Sequence, residues 1–183
     1  MGGIGKTALA LHLAHQLISE GQFRDAQLYL DLKGADPVPG SAGLTTGIDP
    51  AAALQALLSA LLGPDPQRPT DVDALAGLWR RAIHGKDAIL ILDNAADAPQ
   101  VRPLLPGSLT CAVLVTSRRR FTLPGAGRFD LDPMDPADAR ALLQALAPRL
   151  DDEGADTISR VVGCIARLGL YPTLLRWLAK VSE

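Results

Sequence analysis

Concentrated positive charge is what this sequence most clearly lacks. Its 183 residues carry 18 Lys and Arg against 20 Asp and Glu, for a formal net charge of −2. The one basic cluster, Arg118-Arg119-Arg120, is too short to be a nucleic-acid-binding arm. Direct nucleic-acid contact from this segment is therefore not expected. Cysteine is nearly absent. Cys111 and Cys164 match no CxxC or metal-ligand spacing, which argues against a disulfide scaffold or zinc site and leaves two buried thiols. No apolar run reaches the length that crosses a bilayer, and no basic-then-apolar leader opens the chain. The expectation is a cytoplasmic protein that makes no membrane contact. Hydrophobic residues form 48% of the chain, enough for one domain with a full core and the start of a second.

Strand and helix signals alternate along the chain. Residues 6–20 read as a helix, with Leu9, Leu13 and Leu17 repeating every four positions, Ala10 and Ala14 beside them, and Gly21 as the stop. Residues 27–32 read as a strand closed by Lys33-Gly34, and 35–48 as a Gly, Pro, Ser and Thr-rich loop. Pro50 opens a helix that Gly63-Pro64 ends. Thr70 to Asp73 resembles a capping box for a helix burying Val72, Leu75, Leu78, Trp79 and Ile83. Residues 88–92 and 112–116 are continuous apolar runs, the pattern of strands covered on both faces. A short helix is expected over 97–105 and a short third strand of this group over 128–131. Asp135-Pro136 caps a helix to about 147, and two more helical stretches follow near 152–168 and 172–181. The class is α/β with a parallel sheet, followed by the start of a small helical subdomain. The expected division is a partial nucleotide-binding domain over 1–133 and a partial helical subdomain over 134–183.

The chemistry starts at Gly2-Gly3-Ile4-Gly5-Lys6-Thr7, followed by Ala8. Phosphates are densely anionic, and glycines let a backbone wrap closely enough to aim several N–H groups at them. Lys6 adds a positive charge for the β and γ phosphates, and the Thr7 hydroxyl can bind Mg²⁺. A helix starting at Lys6 aims its positive dipole end at the same ligand. Against the full pattern GxxxxGK[ST], the first glycine would stand one residue before Met1, so the loop is cut.

Asp93 ends the apolar run Leu90-Ile91-Leu92. A parallel strand delivers such a carboxylate at its C-terminal end, where α/β sheets bind ligands. There it can orient Mg²⁺, through water. A strand-ending Asp also commonly caps the next turn; its pairing with a phosphate loop favours the metal role. Asn94 stands where an acid could act as base, and an amide cannot accept a proton, so hydrolysis is expected to be slow at most. Val113-Leu114-Val115-Thr116-Ser117-Arg118 ends another apolar strand. Arg118 is placed to sense a γ-phosphate, and Thr116 or Ser117 to hold a water or phosphate oxygen.

Several stretches in order resemble the NB-ARC family of STAND P-loop NTPases, most closely the bacterial regulators that join this module to a DNA-binding domain and TPR repeats. They are GGIGKTALA at 2–10, LYLDLKG at 28–34, ILILDNA at 89–95, QVRPLLPG at 100–107, CAVLVTSR at 111–118 and GLYP at 169–172. The resemblance implies ADP held in a resting state and ATP in an active one, with Mg²⁺. It implies Gly3, Gly5, Lys6 and Thr7 as the phosphate and Mg²⁺ ligands, Asp93 as the Walker B acid, Arg118 as the sensor and Pro172 near the adenine. It also implies other domains of a longer parent as partners and homo-oligomers on activation.

Two departures matter: the family's first strand is missing, and so is the first glycine of the loop. The chain therefore reads as a fragment or the product of a late start codon. That strand normally lies inside the sheet, so open strand edges are expected beside the gap. The leading expectation is an ADP/ATP-binding regulatory switch with weak ATPase activity at most. The alternative is a non-enzymatic interaction or scaffold remnant that no longer binds nucleotide. Asn94 argues against a vigorous motor-type ATPase, and no guanine-reading NKxD motif supports a GTPase.

Overall fold

The computed structural model describes residues 4–34, 47–132 and 135–146. Thr7–Gly127 forms one compact unit, and the described residues outside it group separately. The elements run α1 (Lys6–Ser19), β1 (Ala26–Asp31), α2 (Pro50–Leu62), α3 (Val72–Ile83), β2 (Ala88–Ala95), α4 (Ala98–Val101), a 3-10 turn (Arg102–Leu104), β3 (Cys111–Ser117) and α5 (Pro136–Leu146). The architecture is α/β, as the alternating signals predict.

The three strands form one parallel sheet in the order β1-β2-β3. Strand β2 is buried from Ala88 through Asp93, and its side chains alternate between two cores. Ala88, Leu90 and Leu92 pack with Leu54, Leu57 and Leu58 of α2 and Leu75, Trp79 and Ile83 of α3. Ile89 and Ile91 pack on the opposite face with Ala10 and Ala14 of α1. Helices thus cover both faces, which explains why β2 has no polar alternation before Asp93.

Helix ends follow short-range chemistry. Asp49 caps α2 by accepting from Ala51 N at 2.9 Å, with Pro50 at the first turn as expected. The cap of α3 lies one residue later than the Thr70 box suggests: Asp71 accepts from Ala74 N at 2.9 Å. A carboxylate is as good a cap as a hydroxyl, and here it is the Asp71 carboxylate that bonds the first-turn N–H. The Trp79 indole is fully buried and donates to Leu104 O at 2.8 Å, tying α3 to the turn before β3.

Four expectations are corrected. The leucine stripe of α1 is not its buried face: Leu9 and Leu13 are exposed, and Ala10 and Ala14 are buried. A four-residue repeat overshoots one turn by roughly 40° per step, so the stripe winds off the sheet. Ala10, Ala14, Leu17 and Ile18 keep the i, i+4, i+7, i+8 spacing that stays on it. Strand β3 is an edge strand whose residues Cys111–Val115 are only partly buried; no further strand flanks it among the described residues. The Cys111 thiol is likewise half-buried, 3.5 Å from Lys86 O, while Cys164 lies outside the described residues. Residues 128–131 form no strand; Arg128 and Asp130 instead make an exposed ion pair at 3.1 Å. Among the described residues β2 is bonded to a neighbour on each side, and the outer edges of β1 and β3 are open.

The helix over Pro136–Leu146 starts as predicted, with Asp135 accepting from Ala137 N at 3.0 Å. The stretches 152–168 and 172–181 lie outside the described residues.

Candidate functional site

The C-terminal end of β2 gathers polar groups on the α1 face of the sheet. Register sets this up: Tyr29 of β1 lies beside Ile91, and Leu92 lies beside Val115 of β3. Alternation then turns Tyr29, Asp93 and Thr116 to the same face as Ile89 and Ile91. Thr7, in the first turn of α1, enters from above that face.

The result is one carboxylate with three hydroxyl donors. Thr7 Oγ1 donates to Asp93 Oδ1 at 2.8 Å and also lies 3.0 Å from Oδ2. Thr116 Oγ1 donates to Oδ1 at 2.5 Å. Tyr29 OH donates to Oδ2 at 3.1 Å. Asp93 is only 6% exposed, so these bonds replace the water that a buried carboxylate loses. The Tyr29 phenol responds to its setting. Burial of the oxygen, then the Asp93 charge and the hydrogen bond to it, raise its pKa from 10.0 to about 12.

Just past Asp93 the strand deforms. The pairing of β2 with β3 shifts between Leu92 and Ala95, and Asn94 takes φ +56°, a left-handed conformation that Asn tolerates better than most residues. The freed Asn94 N–H donates to Thr116 Oγ1 at 3.0 Å. Thr116 is thereby fixed at both ends, accepting from one residue and donating to its neighbour. Ser117 Oγ donates to Ala95 O at 2.7 Å and accepts from Arg119 N at 3.0 Å. Both hydroxyls, expected to hold a phosphate oxygen or water, thus each donate once and accept once within the protein.

A second polar hub braces the same end of the sheet. The buried Gln100 side chain accepts from Ala96 N at 2.9 Å and donates to Leu32 O at 3.0 Å and Ile48 O at 2.9 Å. It joins Leu32 and Ile48 to the turn after β2. Gly34 N donates to Asn94 O at 2.6 Å, and a Cβ at Gly34 would stand 2.1 Å from Ala96 N. Only glycine allows that approach.

Of the residues expected to act, Thr7 and Asp93 are in direct contact. Lys6 is the first residue of α1, next to Thr7 in the chain. Gly5 precedes it with φ +101°, a conformation open to glycine, and Ile4 leads into it. Ala8 is exposed in the first turn of α1, and Arg118 is exposed just beyond β3. Gly2, Gly3 and Pro172 lie outside the described residues. Tyr29 belongs to the site although no motif singles it out. The signal that could have found it is parity: Gln27, Tyr29 and Asp31 alternate with Ala26, Leu28 and Leu30, and only the latter pack on the main core.

The donor set suits Mg²⁺. It offers a hydroxyl and a carboxylate, both hard oxygen ligands, and leaves the other positions to water and phosphate. Among the described residues no cluster of three His, Cys, Asp or Glu could cage an ion without such a co-ligand. No described helix is long and apolar enough to cross a membrane.

No family model matches the chain. It is similar to the regulatory protein AfsR of Streptomyces griseus, with 40% identity over 179 residues. It is similar as well to the regulatory protein AfsR of Streptomyces coelicolor, with 38% identity over 177 residues. Each match takes in 96% of this chain and 17% of the relative. The chain is thus similar, along nearly its whole length, to a segment spanning 17% of two much longer regulatory proteins.

Proposed function

We propose that this chain is an ADP/ATP-binding switch module of a larger signalling or transcription-regulating protein. The observation that carries the reading is the 2.8 Å bond between the Thr7 hydroxyl and the Asp93 carboxylate, groups separated by 86 residues. A helix-tip hydroxyl meeting a strand-end carboxylate is the pair that a magnesium–phosphate complex needs. Under this reading Gly2, Gly3, Ile4, Gly5 and Ala8 contribute backbone to the phosphates, and Lys6 adds charge at the β and γ positions. Thr7 binds Mg²⁺ directly, and Asp93 orients it through water. Bound Mg²⁺ neutralises phosphate charge. Arg118 senses the γ-phosphate, and Pro172 lies by the adenine.

Asn94 follows Asp93 and supplies no carboxylate base, so hydrolysis is slow at most. That suits a module whose output is set by which nucleotide is bound. The similarity to two proteins called regulatory supports the wider role. In this reading the module works in the cytoplasm. Its partners are other domains of its parent, a DNA-binding domain and TPR repeats among them, and further copies on activation.

The test is calorimetric titration of the 183-residue chain with ADP and Mg²⁺. Saturable binding that Lys6→Ala weakens at least tenfold supports the switch. An absence of binding favours the rival reading, an interaction or scaffold module that keeps the fold alone.

A further inference from the structure

The three hydroxyls on Asp93 are not equivalent. Thr116 is buried and also accepts from Asn94 N, so it cannot leave without stripping a backbone N–H. Thr7 lies within 3.0 Å of both carboxylate oxygens, and a hydroxyl can donate to one group while offering a lone pair to another. Tyr29 is different on three counts. Its bond to Oδ2, at 3.1 Å, is the longest of the group. Its side chain is 50% exposed on the edge strand β1. Its hydroxyl has no second partner among the described residues. Rotation about χ1 would carry it into solvent without breaking any other bond.

We propose that Tyr29 is a positioning residue that competes with the water shell of Mg²⁺ for Asp93 Oδ2, keeping the carboxylate covered until a metal–nucleotide complex displaces the phenol. The inference rests on the nucleotide-switch reading above. Oδ2 is approached by both the Thr7 hydroxyl at 3.0 Å and the Tyr29 phenol at 3.1 Å, so a metal-bound water that hydrogen-bonds to it must displace a donor. Loading therefore costs one hydrogen bond to a charged acceptor. Tyr29 raises the Mg²⁺ concentration at which the site fills and leaves the metal-free affinity for the nucleotide unaltered. Asp93 then remains satisfied in either state, by the phenol or by the hydrated ion.

The experiment compares the full chain with Tyr29→Phe, which keeps the ring and removes only the hydroxyl. Affinity for ADP is measured across a Mg²⁺ series and in EDTA, with thermal melts to establish that both proteins are folded. The expected result is roughly a three- to tenfold lower Mg²⁺ requirement in Tyr29→Phe, with equal ADP affinity in EDTA; half-exposure of the phenol puts its bond in the ordinary range and below that of a buried bond to a charge. The wild type should also give a tyrosine difference spectrum on adding Mg²⁺ and ADP that the variant lacks. An unchanged or raised Mg²⁺ requirement overturns the competition while leaving the nucleotide site standing. A wild-type chain that binds no ADP at any Mg²⁺ concentration overturns the nucleotide reading and this inference with it.

Discussion

Thr116 Oγ1 joins two consecutive residues of β2, accepting from Asn94 N at 3.0 Å and donating to Asp93 Oδ1 at 2.5 Å. One hydroxyl thus satisfies the backbone where the strand deforms and holds the carboxylate of the residue just before it. Thr116→Val keeps the shape and removes both bonds. We expect a loss of about 1–3 kcal/mol in stability, read by urea denaturation with the m-value unchanged. A neutral substitution would show that solvent replaces the hydroxyl and that the pairing is incidental.

Gln100 makes a second test. Gln100→Leu has similar volume but strands Ile48 O and Ala96 N and leaves Leu32 O with the Ile48 N–H as its remaining donor. Stability should fall by about 2–3 kcal/mol. Amide exchange at Ala96 should accelerate more than exchange in the middle of β2, because its acceptor is gone. Equal acceleration at both places would mean that Gln100 braces the whole fold instead of this corner.

At Gly34 the contact is steric. An added Cβ would lie 2.1 Å from Ala96 N, so the backbone must move. Gly34→Ala should cost about 1–3 kcal/mol and lower the thermal midpoint by several degrees. A Cβ added at Gly77 or Gly85 would meet nothing within 4 Å. Of these two, Gly77 lies within α3, so Gly77→Ala should be neutral or stabilising. If the Gly34 and Gly77 alanine variants melt alike, the close approach at Gly34 does not govern stability.

Tyr29 predicts a pH dependence in the metal-free protein. Its pKa in the fold is about 12 against 10.0 for a free phenol. The folded state therefore holds the proton longer than the unfolded state does. The stabilisation is complete below pH 10.0 and is lost as pH rises towards 12. Tyr29→Phe should flatten that part of the stability curve, and ultraviolet titration in EDTA should lose its highest-pH tyrosinate step. Loss of a step near pH 10.0, with no step above it in the wild type, would contradict the bond to Asp93.

How far the sequence reveals this arrangement depends on the kind of interaction. Strand β2 is legible because burial on both faces demands an unbroken apolar run, and Ala88 to Leu92 supply one. The Thr7–Asp93 pair is legible because each residue belongs to a short motif with its own local geometry. The face of α1 is not. Leucine periodicity points to Leu9 and Leu13, yet the helix packs through Ala10 and Ala14, whose small side chains carry a weaker signal. Tyr29 and Gln100 escape for a related reason. Their roles depend on register and on segments 52 to 68 residues away, and no local pattern encodes those distances. The edge position of β3 is hidden likewise, since an apolar run does not say how many neighbours a strand has.

The most direct test of the account is ADP affinity measured with Mg²⁺ and in EDTA for wild type, Thr7→Ala and Asp93→Asn, each in the 183-residue chain. The account predicts that Mg²⁺ tightens binding in wild type and that this gain disappears in both variants, while the weak affinity in EDTA survives. If Mg²⁺ has no effect on wild type, or if Asp93→Asn keeps the full gain, then the bonded hydroxyl and carboxylate are not a metal site.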